Sequence, residues 1–233
     1  MTHRTNKYSP VVVFTYNKYK ETMQTMETLS KNTDALKTDV YVFSNAALQD
    51  VPGDMEKVNS IREELPRFSS FFHKYEIIFR NKNEGPNKNM LDGIDRIVNQ
   101  YGRVIVLEDD IITAPAFLSF MNQALDEFAF DKRVFSICGY NPVSRECALA
   151  GDSFSYDVFR SWGWGIWEDR WNLFSWSEYN VDKINACRVH SECPLYVTAY
   201  REDLIYPKGT YERFLDMKLF YMQAATNKTV IYA

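Results

Sequence analysis

The segment Gly102-Arg103-Val104-Ile105-Val106-Leu107-Glu108-Asp109-Asp110 constrains the fold of this 233-residue chain more than any other. An unbroken β-branched run of this kind marks a strand covered on both faces, as in a parallel sheet between helical layers. The run ends abruptly in adjacent carboxylates. In open α/β sheets ligands collect at the carboxyl ends of such strands. Adjacent anions disfavour one another's charged form unless a cation compensates them. The simplest compensating cation for hard oxygen ligands is Mg²⁺ or Mn²⁺. Strand alternation puts Glu108 and Asp110 on one side and Asp109 on the other, with Asp110 nearest the open end. The competing reading is an acidic loop capping a helix that begins near Pro115, which accounts for one carboxylate better than for all of them.

Upstream, Val11-Val12-Val13-Phe14 predicts a strand closed by the turn-like Thr15-Tyr16-Asn17. Lys20 to Asn32 carries Met23, Met26 and Leu29 at helical spacing, and Asp39-Val40-Tyr41-Val42-Phe43 predicts a second strand closed by Ser44-Asn45. Strand, helix and strand in this order form a βαβ unit with a parallel crossover. A helix over 61–75, interrupted at Pro66, and a strand over Glu76–Arg80 come next. A polar loop then leads into an amphipathic helix marked by Met90, Leu91, Ile94, Ile97 and Val98. Thr113 as cap and Pro115 in the first turn predict a helix with Phe117, Leu118, Met121, Leu125 and Phe128 inward. Val134 to Cys138 predicts a further strand. Beyond about residue 143 alternation weakens while Trp and Tyr accumulate, with no Gly/Ser-rich linker between the halves. The chain therefore reads as one unit whose second half shapes a substrate pocket.

Net charge is −4, so no basic field attracts nucleic acid. No apolar run approaches the roughly 20 residues of a transmembrane helix. The polar stretch Met1 to Ser9 reads as neither signal peptide nor anchor. Cys138, Cys147, Cys187 and Cys193 show no zinc-type spacing, which suits a reduced, cytoplasmic compartment, with a Cys187–Cys193 bridge left open. Cys138 reads as a buried free thiol.

Further segments carry candidate chemistry. In Arg160 to Trp171, glycines between tryptophans allow close backbone approach to a ligand, and indole faces stack on the apolar face of a sugar ring. Trp167 and Trp171 read as helix-to-core packing, whereas Trp162 and Trp164, flanking Gly163, read equally as ligand-facing or as core. Asp216, a lone acid among Phe214, Leu215 and Leu219, is either a solvated helix position or a general base aimed into the cleft. Asn81 to Asn89 opens a helix and is rich in donors, and its Asn83 and Lys88 suit a diphosphate at a helix N-terminus. The histidines are scattered and form no nucleophilic arrangement.

Taken together, Thr15-Tyr16-Asn17-Lys18, Phe43-Ser44-Asn45, Asn83-Glu84-Gly85, Val106 to Asp110 and Ser161-Trp162-Gly163-Trp164 resemble a bacterial nucleotide-sugar glycosyltransferase of the GT-A type. The pattern is similar to bacterial polysaccharide glycosyltransferases and, more distantly, to the Golgi N-acetylglucosaminyltransferase that starts hybrid N-glycans. The resemblance implies an α/β fold with a Rossmann-like, mixed, mostly parallel sheet flanked by helices. It implies a metal-dependent enzyme that uses Mn²⁺ or Mg²⁺ to transfer a sugar, with inversion, from a UDP-sugar to a carbohydrate hydroxyl. Asp110 would hold the metal, and Glu108 and Asp109 would meet sugar and ribose hydroxyls. Tyr16, Asn17 and Lys18 would line the nucleoside site, and Ser44 and Asn45 would hold the base where relatives often carry Ser-Asp. Trp162, Gly163 and Trp164 would serve the acceptor, and Asp216 falls where relatives carry a catalytic base. On this reading a single domain over 1–233 divides into a nucleotide-sugar half, 1–142, and an acceptor half, 143–233. Relatives run on past the position of Ala233, so part of the acceptor site would be missing or supplied otherwise. A lipid-linked acceptor would bring peripheral membrane association. The rival readings are a non-catalytic sugar-binding or scaffold protein on the same fold and a sugar nucleotidyltransferase. The second needs a basic glycine-rich loop that Phe14 to Lys20 lacks.

Overall fold

The computed structural model describes residues 7–140, 154–156, 159–173, 219, 223 and 228–232. The elements are β1 (Val11–Thr15), α1 (Tyr19–Ser30), β2 (Asp39–Ser44), α2 (Asp54–Glu64), β3 (Lys74–Phe79), α3 (Gly85–Tyr101) and β4 (Arg103–Glu108). They continue with α4 (Phe117–Glu127), β5 (Val134–Cys138), β6 (Phe154–Tyr156), β7 (Trp164–Trp167), α5 (Glu168–Trp171) and β8 (Thr229–Tyr232). The strands form one sheet in the order β3-β2-β1-β4-β7-β5-β8-β6. β1 to β4 are mutually parallel, β7 is antiparallel between β4 and β5, β8 pairs parallel with β5, and β6 is antiparallel to β8. The sheet is thus mixed and mostly parallel.

The central strand β4 has no solvent-facing side. Val104, Ile105, Val106 and Leu107 are completely buried. Ile105 and Leu107 join Val11, Val13, Met26 and Leu125 in one apolar layer, beneath α1 and α4. Val104 and Val106 join Val12, Ile94, Ile97 and Trp164 in the other, beneath α3. A β-branched run is the economical solution for such a strand, since each residue needs an apolar partner on its own side.

Several predicted boundaries shift. The helix expected over 61–75 is α2, which starts at Asp54, followed by a 3₁₀ segment over Leu65–Phe71 that accommodates Pro66. β3 begins at Lys74, ahead of the predicted strand. Thr113 does not cap α4. Asn32 does so from the end of α1, accepting the Leu118 N–H at 2.9 Å and donating to the Thr113 hydroxyl at 3.0 Å. Trp167 closes β7 and Trp171 lies in α5, and both are buried as predicted. Cys138 is a buried free thiol, and burial pushes its pKa up to about 12. Arg170, also buried, donates to the carbonyls of Phe128, Ala129, Asp131 and Val134 and so fixes the connection from α4 to β5.

α3 lies close against the sheet because of Gly93. A Cβ there would come within 2.6 Å of the Phe14 ring and 3.2 Å of Phe43, which stack on each other. Gly93→Ala should therefore overpack this layer and destabilise the protein by roughly 1–3 kcal/mol, read as a lower urea midpoint at unchanged slope.

Candidate functional site

The parallel strands bring their carboxyl ends to one edge of the sheet, where the turns after β1, β2 and β4 and the start of α3 surround a cavity of about 510 Å³. Tyr16, Asn17, Lys18, Asn45, Asn83, Glu108 and Asp109 all line it. Asn45 and Asn83 are linked to each other at 3.3 Å, and each is also bonded to the chain of the facing loop. The Asn45 side-chain oxygen accepts the Glu84 N–H at 3.4 Å, and Asn83 donates to the Ala46 carbonyl at 2.7 Å. Two loops that lie far apart in sequence thereby form one wall.

At the floor of this cavity the regular strand stops at Glu108, and Asp109 and Asp110 occupy the following turn. The predicted alternation therefore does not extend through all the acidic residues: Glu108 and Asp109 line the same cavity, and Asp110 lines its neighbour. Asp109 is only 7% exposed and is held from two sides. Its Oδ2 accepts the Tyr16 N–H at 3.2 Å, and its carbonyl accepts the Thr25 hydroxyl at 2.9 Å. Burial raises its pKa, and the nearby Lys18 ammonium opposes that rise. Lys18 Nζ lies 2.9 Å from Asp110 Oδ2 and 3.5 Å from Asp109 Oδ1. The hydrogen bond to Asp110 holds the Lys18 pKa above its ordinary value. Two carboxylates thus converge on one ammonium, and their hard oxygens are the ligand type that Mg²⁺ or Mn²⁺ takes. Among the described residues no group of three or more His, Cys, Asp or Glu gathers to hold such an ion. Water and ligand oxygens would have to complete the coordination, as is usual for Mg²⁺.

Asp110 also borders a second cavity, of about 670 Å³, which runs along the start of α4. Its lining is largely apolar, with Ile111, Ile112, Phe117, Phe120, Tyr140 and Trp162. Trp162 and Tyr140 meet edge to face with ring centroids 4.8 Å apart, and the Arg160 guanidinium lies 5.4 Å from the Trp162 ring. Gly163 adopts φ +69°, which few other residues tolerate, and its carbonyl accepts the Gly139 N–H at 2.7 Å. That bond joins the ends of β5 and β7 and brings Tyr140 beside Trp162.

Other predicted site residues lie elsewhere. Trp164 is fully buried in β7, edge-on to Phe159, and presents no face to a ligand, because both sides of β7 are covered. Ser44 is buried behind the cavity wall, where its hydroxyl accepts a bond from Arg62 at 3.2 Å. Lys88 pairs with Asp92 at 2.6 Å and lines neither cavity. Asp216 lies outside the described residues. No helix among the described residues is long and apolar enough to cross a membrane.

No protein-family model matches the chain, and no curated protein matches it in sequence. Solved structures do. TarS 1–349 from S. aureus in complex with UDP-GlcNAc aligns with 97% of this chain and 58% of its own, at 14% identity and a TM-score of 0.50. The longer S. aureus TarS structure aligns with 97% of this chain and 36% of its own, again at 14% identity and a TM-score of 0.50. The mannosyltransferase PcManGT from Pyrobaculum calidifontis, solved with GDP-Man and Mn²⁺, covers 70% of this chain and 46% of its own at 15% identity, with a TM-score of 0.44. This chain thus spans less than two thirds of each of these proteins. The likeness to TarS establishes a shared α/β fold, in agreement with the fold that the GT-A resemblance implies.

One residue with a clear role at the site escaped the sequence reading. Asp54, buried at the start of α2, accepts the Tyr16 hydroxyl, the Asn17 amide at 2.6 Å and the Leu48 N–H at 2.8 Å. It thereby fixes the turn after β1 against the loop after β2. Burial, aided by Asp54, pushes the Tyr16 phenol up to about 12. For Asp54 itself burial acts upward, but the bonds from Tyr16, Asn17 and Leu48 outweigh it and bring its pKa below 3.8. A carboxylate with a depressed folded-state pKa stabilises above its unfolded value and loses that contribution as pH falls through the folded one. Asp54→Asn should cost roughly 1–3 kcal/mol at neutral pH. In urea melts across pH, that gap to the wild type should persist down to the unfolded value of 3.8 and close below it.

Proposed function

We propose that this chain is a glycosyltransferase moving a sugar from a nucleoside-diphosphate sugar, a UDP-sugar, to a carbohydrate hydroxyl in surface polysaccharide or glycan synthesis. The observation that carries this reading is the pair of cavities flanking one acidic turn: Asp109 lines the one at the carboxyl ends of the parallel strands and Asp110 the aromatic-lined one beside α4. A two-substrate transfer needs this arrangement, because donor and acceptor must meet at a shared point of charge. The fold shared with TarS, which has been solved with UDP-GlcNAc, supports a UDP-sugar as the donor.

On this proposal Tyr16, Asn17, Asn45 and Asn83 hold the nucleoside, while Glu108 and Asp109 accept sugar and ribose hydroxyls. Asp110 is the protein ligand of a divalent ion which, when bound, neutralises charge on the departing diphosphate. Trp162, backed by Tyr140, offers an aromatic face to the apolar side of the acceptor ring. Asp216 takes the proton from the attacking hydroxyl, on the side opposite the leaving group, so that the anomeric centre inverts. General-base assistance of this kind contributes about 10²–10⁴-fold. The chain's residues thus bind and orient both partners and handle one proton.

Incubation with labelled UDP-sugars and Mn²⁺ should release UDP slowly even without acceptor. Sugar binding with no donor turnover would favour the scaffold reading. In thermal melts UDP with Mn²⁺ should stabilise the wild type by about 2.7 kcal/mol at a hundredfold excess over Kd. Asp110→Asn should lose the Mn²⁺-dependent part of that stabilisation, and undiminished stabilisation would remove Asp110 as the metal ligand. Asp216→Asn should lower turnover by about 10²–10⁴-fold while donor affinity stays at the wild-type value. Wild-type turnover in that variant would place the base elsewhere.

A further inference from the structure

We propose that Lys18 is the resident counter-ion of the acidic turn and gives up its place to a divalent metal when a nucleoside diphosphate enters. Metal and nucleotide then bind as a pair. The inference rests on Asp110 being the metal's protein ligand, as proposed above.

The members of this cluster differ in freedom. Asp109 is fixed by Tyr16 and Thr25 and is nearly inaccessible. The side chains of Lys18 and Asp110 are about half exposed, at 52% and 46%. The Lys18 backbone is anchored at the start of α1, where its carbonyl accepts both the N–H and the hydroxyl of Thr22, at 2.9 and 2.7 Å. A flexible four-carbon stem on a fixed anchor can carry an ammonium from one partner to another without moving the fold.

Charge supplies the direction. In the absence of ligand one ammonium faces Asp109 and Asp110 together, with Glu108 close by in sequence on the same cavity. A diphosphate delivered here adds further negative charge, which a single ammonium cannot balance along with both carboxylates. A divalent ion at the point now held by Nζ carries twice the charge and accepts several oxygens at once. The displaced ammonium, on the wall of the same cavity, is then free for the phosphates. An ammonium and a metal ion cannot occupy one point, so each must weaken the other's binding there. By linkage, whatever draws Lys18 away strengthens the metal by the same factor.

The test is Mn²⁺ binding by the full chain, read as loss of the free-ion electron paramagnetic resonance signal, with and without UDP. Lys18→Met should bind Mn²⁺ alone at least about fivefold more tightly than the wild type, and UDP should improve that affinity less than it does for the wild type. Lys18→Arg keeps the charge and should stay within about twofold of the wild type. Adding Asp110→Asn to Lys18→Met should abolish the gain. Equal Mn²⁺ affinity of wild type and Lys18→Met without nucleotide would overturn the exchange while leaving the glycosyltransferase reading intact. Failure of either protein to bind Mn²⁺ even with UDP would overturn the exchange and the Asp110 assignment together. No readout here depends on turnover, so a non-catalytic chain would still report on Lys18.

Discussion

Complete burial of β4 on both faces is the constraint from which the rest of the structure follows. A strand with no solvent side must be hydrogen-bonded along both edges and covered by helices above and below. β1 and β7 supply the edges, α1 and α4 one cover, and α3 the other. A strand so enclosed can place polar groups only at its end. The carboxylates of Glu108, Asp109 and Asp110 therefore gather where the strand emerges, and the turns after β1 and β2 emerge beside them because those strands run parallel. Site and core are two results of one packing requirement.

Within the site, burial divides labour between chemically identical neighbours. Asp109 faces inward, and its hydrogen bonds to the turn after β1 and to α1 make it part of the scaffold. Asp110, one residue on, is about half exposed, lines the neighbouring cavity and, among the described residues, is paired with the equally exposed Lys18. Asp54 plays the scaffolding part for the opposite wall, and its depressed pKa records how many donors converge on it. The buried carboxylates are fixed by hydrogen bonds, whereas Asp110 is half exposed.

What the sequence made legible follows from how local each signal is. The strands β1, β2, β4 and β5 and the inward face of α3 are written in runs and periodicities of a few residues, and they were readable. Of the residues read from strand ends and the start of α3, Tyr16, Asn17, Lys18, Asn45, Asn83, Glu108 and Asp109 line one cavity, whereas Ser44 and Lys88 do not. Some misses are local, as where Lys88 pairs with Asp92 one helical turn on, but others are non-local. Asn32 caps α4 from 86 positions away, and Asp54 meets Tyr16 across 38, so neither leaves a trace in nearby residues. Lys18 meets Asp110 across 92 positions, so the ammonium beside the acidic turn likewise leaves no mark in the residues next to it. Trp162 and Trp164 look equivalent as letters. Only the double burial of β7 separates the exposed indole from the core one.

The bond between Gly163 and Gly139 has a consequence for how such a molecule can vary. It clasps the residue after β5 to the residue before β7, two strands that are neighbours in the sheet. Between the two glycines the chain also lays β6 against β8 and sets Phe159 edge-on to Trp164, so the stretch that the clasp brackets is itself tied into the sheet and core. The aromatic pair Tyr140 and Trp162 stands at that clasp, outside the turns that shape the other cavity. Variation at the clasp would therefore alter the lining of the cavity beside α4 and leave that of its neighbour as it is.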